Sequence, residues 1–243
     1  MRHLMEELGI YTLKDAPVTT HSNTYIMGTS VLAVKFQGGI LVASDTQASY
    51  GSYAKYKNIT RAAQISPNTL LVSSGEYSNF QEVVHMLRLE MNPITEEATV
   101  FGPRECFEIL RNHMYEKRNR GQPEQNYHVV AGIEEQPREA VPYECDPNGL
   151  FLAAIDPLGG FYHANVIATG LGAHIALPIL RKGVADGELE EAEARELLMT
   201  AMRTLLYRDT RACGAIQISK VTKDGISISD PLELSTDWSV GKL

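Results

Sequence analysis

A chain of 243 residues, 44% of them apolar and with a formal net charge of −8, has the size and core-forming content of one large domain. The acidic balance argues against nucleic-acid binding, because affinity for phosphate backbones draws on clustered Lys and Arg. The one basic run, Lys117-Arg118-Asn119-Arg120, reads instead as a helix end, where cations complement the macrodipole.

Residues 1–20 mix charged and apolar groups without periodicity and end in Ala-Pro-Val-Thr-Thr, a boundary marked by Pro17. They read as a removable leader or as an ordered arm, and the sequence does not separate the two. Glu6 and Glu7 stand where a signal peptide needs a basic start and an apolar core. From Gly28 to Gly51 the pattern predicts two strands, Thr29–Phe36 and Ile40–Ser44, joined by a tight turn at Gln37-Gly38-Gly39. Both are apolar on nearly every residue, which predicts a sheet covered on both faces. Tyr50-Gly51-Ser52-Tyr53 reads as a turn. Asn58–Ile65 leads into a short strand, Thr69–Ser73 forms the next, and Gly75 ends the block.

Two helices follow. Ser78 and Gln81 have the form of a capping box, and Phe80, Val83, Val84, Leu87 and Met91 trace one helical face. Pro103 opens the second helix, with Cys106, Phe107, Leu110 and Met114 inward and Gly121 as its stop. Strands return at Tyr127–Ile133, Gly149–Asp156 and Gly160–Ile167, and Glu134–Pro147 reads as an exposed acidic loop. Ala168–Ala173 introduces a third helix in which Pro178 is an awkward interior residue. The stretch Val166–Leu180 is too short, and too interrupted by His174 and Pro178, to span a bilayer. The fourth helix carries a wide stripe of Ala194, Leu197, Leu198, Ala201, Met202, Leu205 and Leu206. Strands Ala215–Val221 and Ile226–Ser229 meet at Lys223-Asp224-Gly225. Strand runs separated by helix pairs predict an α+β fold with helix layers outside packed sheets.

Cys106, Cys145 and Cys213 are odd in number and widely spaced, which suits a reducing compartment and matches no metal site. The expectation is a soluble, intracellular protein with no metal, cofactor or membrane partner. His85, His113, His163 and His174 have no metal-ligand spacing. Ala-Thr-Gly-Leu-Gly-Ala lacks the Lys-Ser/Thr of a phosphate loop. Asp45, at a strand end, can cap a backbone amide. Asp209 can close the fourth helix against Arg208 or Arg211.

Gly28-Thr29, the apolar strand ending in Asp45, Gly51, Gly75 in Ser-Ser-Gly, and Tyr207-Arg208-Asp209 together resemble the proteasome beta subunits, in order and spacing, from about Thr29 to Val221. The resemblance implies the four-layer αββα sandwich of N-terminal-nucleophile hydrolases. In active members the first residue of the mature chain is a threonine matching Thr29. An alcohol is a weak nucleophile and needs a base. A free α-amine, with a pKa of about 7.7–8.0, can serve, whereas an amide nitrogen cannot. Thr29 is therefore competent only after cleavage at Gly28.

Asp45 matches the family's site aspartate, but the lysine of active members falls on Arg61, which is forked, effectively always protonated and able to pair with Asp45 as a structural ion pair. Two relay serines fall on Leu171, between Gly170 and Gly172, and on Ala212, and both changes remove a hydroxyl. Thr29, Asp45 and Asp209 match; Arg61, Leu171 and Ala212 do not. The resemblance thus implies a degenerate site, like that of the non-catalytic seventh type of beta subunit.

That type implies leader cleavage near Thr19, Thr20 and His21, a domain over 21–230, and a tail over 231–243 that reaches an opposite ring. Trp238 is then either the buried anchor of that contact or a ring packed on its own domain's edge. The implied setting is a stacked-ring hetero-oligomer with other proteasome alpha and beta subunits, degrading polypeptide substrates in the cytoplasm and nucleus. The competing expectations are an active threonine endopeptidase using Thr29 and a stand-alone hydrolase of the same fold.

Overall fold

The computed structural model describes residues 25–91, 101–134, 148–185 and 187–239. In chain order the strands are β1 (Met27–Gly28), β2 (Val31–Phe36), β3 (Gly39–Asp45), β4 (Ala48–Tyr50), β5 (Tyr53–Tyr56), β6 (Ala62–Ser66) and β7 (Thr69–Glu76). Helices α1 (Tyr77–Glu90) and α2 (Pro103–Asn119) come next, then β8 (Asn126–Ile133), β9 (Leu150–Ile155), β10 (Phe161–His163) and β11 (Val166–Ala168). Helices α3 (Gly172–Ile175), α4 (Leu177–Gly183) and α5 (Glu191–Arg208) precede β12 (Ala215–Thr222), β13 (Gly225–Ile228) and β14 (Leu232–Glu233).

The strands form two antiparallel sheets. One runs β10-β9-β8-β7-β1-β4-β5, with β6 also on β7; the other runs β11-β2-β3-β12-β13, with β14 also on β12. Side chains alternate across a strand, so each apolar strand feeds two cores. Val31 and Ala33 of β2 and Ile40 and Val42 of β3 meet Leu70, Val72, Val129 and Leu152 between the sheets. Leu32, Val34, Leu41 and Ala43 point the other way, onto Leu180 and the Leu198–Leu205 stripe of α4 and α5. Leu71, Val130, Phe151 and Ile155 face Leu87, Phe107 and Leu110 of α1 and α2. The layers are helix, sheet, sheet, helix, as expected from strands apolar on both faces.

Several boundaries differ from the sequence expectations. The first long strand begins at Val31, not Thr29, because the chain leaves one sheet at Gly28 and enters the other at Val31. The expected strand Gly160–Ile167 is likewise two, β10 pairing β9 and β11 pairing β2. Ser78 does not cap α1. The strand runs straight into the helix, so Glu76 is the cap, its Oε2 accepting from the Asn79 amide and the Ser78 hydroxyl, both at 2.7 Å. Pro178 is accommodated by a break at Ala176, which places it in the first turn of α4.

Glu134 is not part of an exposed loop: it pairs with Arg104 at 2.9 Å. The rest of that expected loop, 135–147, lies outside the described residues. Sheet structure also continues past residue 230, with β14 on β12 and Leu234 buried in the core beside α5.

Candidate functional site

Thr29 sits where the chain crosses between the sheets. The two residues before it form β1, inserted between β7 and β4: Gly28 lies opposite Gly75 on one side and Ala48 on the other. Tyr77 donates its amide to the Ile26 carbonyl at 2.8 Å, so the insertion is tied at its start. Gly75 takes φ +104°, and a Cβ there would lie 2.0 Å from the Gln125 carbonyl oxygen. Only glycine fits that approach.

The Thr29 hydroxyl donates to Asp209 Oδ2. Asp209 ends α5, and its Oδ1 accepts the Arg211 amide at 2.9 Å while its carbonyl accepts the Ala212 amide at 3.1 Å. It therefore closes the helix through backbone amides, with a threonine hydroxyl as its remaining partner.

Arg61 lies beneath this junction, 2% exposed. Nη1 donates to the carbonyls of Thr29 at 2.7 Å and Ser73 at 3.1 Å. Nη2 donates to the carbonyls of Ser30 at 3.2 Å and Asp45 at 3.1 Å, and Nε also reaches the Asp45 carbonyl at 3.2 Å. Nη2 closes an ion pair with Asp45 Oδ1. The other Asp45 oxygen accepts the Cys213 amide at 3.2 Å. Burial pushes the Asp45 carboxyl up, opposed by the Arg61 charge and the Cys213 amide. Burial, with the Asp45 charge added, also pushes the Cys213 thiol up. One guanidinium thus ties three segments of chain to its own, a task its planar fork suits and a lysine's ammonium does not.

Leu171 precedes α3 beside Gly170, whose φ is +57°. The turn closes onto the start of β2, the Gly172 amide donating to Ser30 Oγ at 2.8 Å and the Val31 amide to Thr169 Oγ1 at 3.0 Å. The amide an anion would need is taken by a serine. Thr29, Gly75, Gly170, Leu171, Asp209 and Arg211 line a shallow cleft. The structure therefore gathers Thr29, Asp45, Arg61, Leu171, Asp209 and Ala212 around one junction. Trp238 lies elsewhere, 57% exposed, its ring edge-on to Tyr207 at 4.9 Å. Thr19, Thr20 and His21 lie outside the described residues.

Sequence reasoning did not find Ser30, Ser73 or His128. The Ser73 hydroxyl bonds His128 Nδ1 inside the helix–sheet layer. Burial pushes His128 down to about 4, with nearby Glu124 opposing and His113 adding to the shift. Only the adjacency of Ser30 to Thr29 and the Ser-Ser-Gly triplet offered a signal.

A family model described as Proteasome subunit matches residues 26–221. The chain is similar to a proteasome subunit beta type-4 of Arabidopsis thaliana, 38% identical over 218 residues, 88% of this chain and 82% of that protein. It is 34% identical to the beta type-4 subunit of Xenopus laevis over 231 residues, 93% of this chain and 90% of the other. A proteasome subunit beta type-7 of Saccharomyces cerevisiae is 29% identical over 240 residues, 93% of this chain and 86% of that one. The matched region runs from the residue before β1 to Val221 near the end of β12, so it takes in every strand but β13 and β14, every helix described and the Thr29 junction: this chain belongs to the proteasome subunit family.

Proposed function

We propose that this chain is a non-catalytic, structural beta subunit of a proteasome core particle. The observation that carries the proposal is the Arg61 guanidinium, spent on the carbonyls of Thr29, Ser30, Asp45 and Ser73 and on the Asp45 carboxylate. A permanently protonated group so engaged offers no lone pair to accept a proton. With Gly28–Thr29 joined, the Thr29 nitrogen is an amide and offers none either. Asp209, which takes the Thr29 hydroxyl, holds its neighbouring amides and has no hydroxyl at Ala212 through which to pass a proton. General acid–base assistance is worth about 10²–10⁴-fold, and its loss supports an inactive centre. The role left is to fill a place in the rings and wall the chamber in which other subunits cut polypeptides.

N-terminal sequencing and intact mass of the assembled subunit, with labelling by a threonine-directed peptide epoxyketone, test this. An N-terminus upstream of Gly28 and no adduct are expected. A chain beginning at Thr29 and carrying the adduct would establish the active endopeptidase instead.

The same reading places the protein among alpha and beta subunits in a stacked-ring hetero-oligomer of cytoplasm and nucleus, with residues beyond Leu234, Trp238 among them, contacting another subunit. A fluorescent fusion that is excluded from either compartment would remove that part.

A further inference from the structure

The β4–β5 hairpin presents Tyr50, Tyr53 and Tyr56 at 48%, 66% and 45% exposure, at one end of the eight-stranded sheet. Tyr50 and Tyr53 are cross-strand partners beside the turn at Gly51, and Lys55 Nζ lies 5.5 Å from the centre of the Tyr56 ring. Three large aromatic side chains on one short hairpin are an unusual load for a solvent face, and tyrosine is enriched where proteins meet.

Two further observations say what meets it. From residue 46 to residue 75 the chain has no Asp or Glu, while it has Lys55 and Lys57, in a protein of net charge −8. The third cation of that stretch, Arg61, is buried and already paired. The hairpin is a basic island on an acidic protein, so charge complementarity selects an acidic partner.

The hairpin is also held before any partner arrives. The Thr46 hydroxyl donates to the Lys57 carbonyl at 2.9 Å, the Ile59 amide to the Thr46 carbonyl at 2.9 Å, and Gln47 Nε2 to the Arg211 carbonyl at 2.9 Å. A register shift between Ala48 and Ser49 bends the strand at its base. Such preorganisation lowers the entropy lost on docking.

We propose that the β4–β5 hairpin is a subunit-docking face, its tyrosines and Lys55 and Lys57 seated against an acidic surface of a neighbouring subunit in the particle. This rests on the structural-subunit reading above. A closed ring of unlike subunits requires each to present two different lateral faces, and a sheet end is a natural one.

Hydrogen exchange on the full-length chain, free and in the purified particle, tests it, together with a Lys55→Glu/Lys57→Glu/Tyr53→Ser variant. Amides 50–57 are expected to gain at least about tenfold protection in the particle over what the hairpin's own pairing gives them in the isolated chain. The variant is expected to melt within about 3 °C of the wild type as a free chain, since the changes are on the surface, and to be incorporated at least about tenfold less. Equal exchange in both states overturns the proposal. So does protection already complete in the free chain, which would mean that the chain's own residues, or a second copy of it, cover the hairpin. Normal incorporation of a normally folded variant also overturns it. A wild-type chain that enters no particle at all would instead fail the structural-subunit reading.

Discussion

Gly28 and Arg61 share one space: a Cβ on Gly28 would stand 2.3 Å from Arg61 Cδ and 2.8 Å from Nε. A long side chain usually yields to such a methyl. Arg61 cannot, because its guanidinium is pinned to four carbonyls and a carboxylate. Gly28→Ala is therefore expected to destabilise the chain by about 1–3 kcal/mol, the usual cost of overpacking a full site. A urea midpoint unchanged in this variant would show that Arg61 moves freely.

The buried Asp45–Arg61 pair predicts a strongly non-additive mutant cycle. Arg61→Met leaves a buried carboxylate without its cation, and Asp45→Asn leaves a buried cation without its anion. Each is expected to cost about 3–5 kcal/mol. Removing both relieves the uncompensated charge, so the double variant should cost well under the sum of the two. Arg61→Lys keeps the charge but loses the fork that spans Thr29, Ser30 and Ser73, and should fall between wild type and Arg61→Met. Equal and additive losses in urea unfolding would mean that the two groups do not interact.

The layers were legible because Val31–Phe36 and Gly39–Asp45 are apolar on consecutive residues, and only a sheet covered on both sides accepts that. The crossings were not. At Thr29–Ser30 and at Ala164–Asn165 the chain passes from one sheet to the other among residues whose character hardly changes, so the first strand reads as starting two residues early and β10 and β11 read as one. Ser78 and Gln81 imitate a cap, but local pattern cannot register that a buried Glu76, still in the strand, is already in place. The partnership of Asp45 with Arg61 followed from their matched positions. The other contacts of Arg61 did not, since they are to backbone carbonyls, which carry no residue identity. Ser30 and Gly172 meet across 142 positions, and nothing local marks either one.

Stability should depend on pH through His128. Its folded pKa of about 4 lies below the ordinary 6.5, because the charged ring would be fully buried. Between those two values the unfolded chain binds a proton that the folded chain does not. Stability is therefore complete above pH 6.5, declines as pH falls towards about 4, and is then level in this contribution, with a total of order 3 kcal/mol. His128→Asn carries no titrating ring. The difference in unfolding free energy between wild type and variant should change with pH over this window and be constant above it. A difference that is flat from pH 7 to 4 would mean that the ring takes up its proton as readily in the fold as in the unfolded chain.

Cys106 should be inert in the native protein. It is buried against α1 and the sheet, and burial pushes its thiol up to about 12, so almost no thiolate exists at neutral pH. Peptide mapping after brief iodoacetamide treatment should find Cys106 unmodified until denaturant is added. Modification at the rate of a free thiol would show that α2 opens readily.

The C-terminal segment should divide at Leu234 into a part that folds the subunit and a part that does not. Leu232 and Glu233 pair with Ile216 and Ala215, and the Leu234 amide donates to the Gly214 carbonyl at 2.9 Å. The Leu234 side chain is buried among Met202, Leu205 and Ile216. Beyond it the contacts are thinner: Arg203 Nε to the Ser235 carbonyl at 2.9 Å, the Asp237 amide to the Tyr207 hydroxyl at 2.7 Å, and Trp238 edge-on to Tyr207. A chain ending at Asp230 loses a strand and a core leucine, and Leu→Ala changes in such sites alone cost about 2–5 kcal/mol. A chain ending at Ser235 keeps both and, among the described residues, gives up only exposed bonds and an exposed ring. The expected order of melting temperatures is wild type close to the longer truncation, with the shorter one well below. If the two truncations melt together, β14 and Leu234 contribute nothing, and the whole of 231–243 acts as a separate tail.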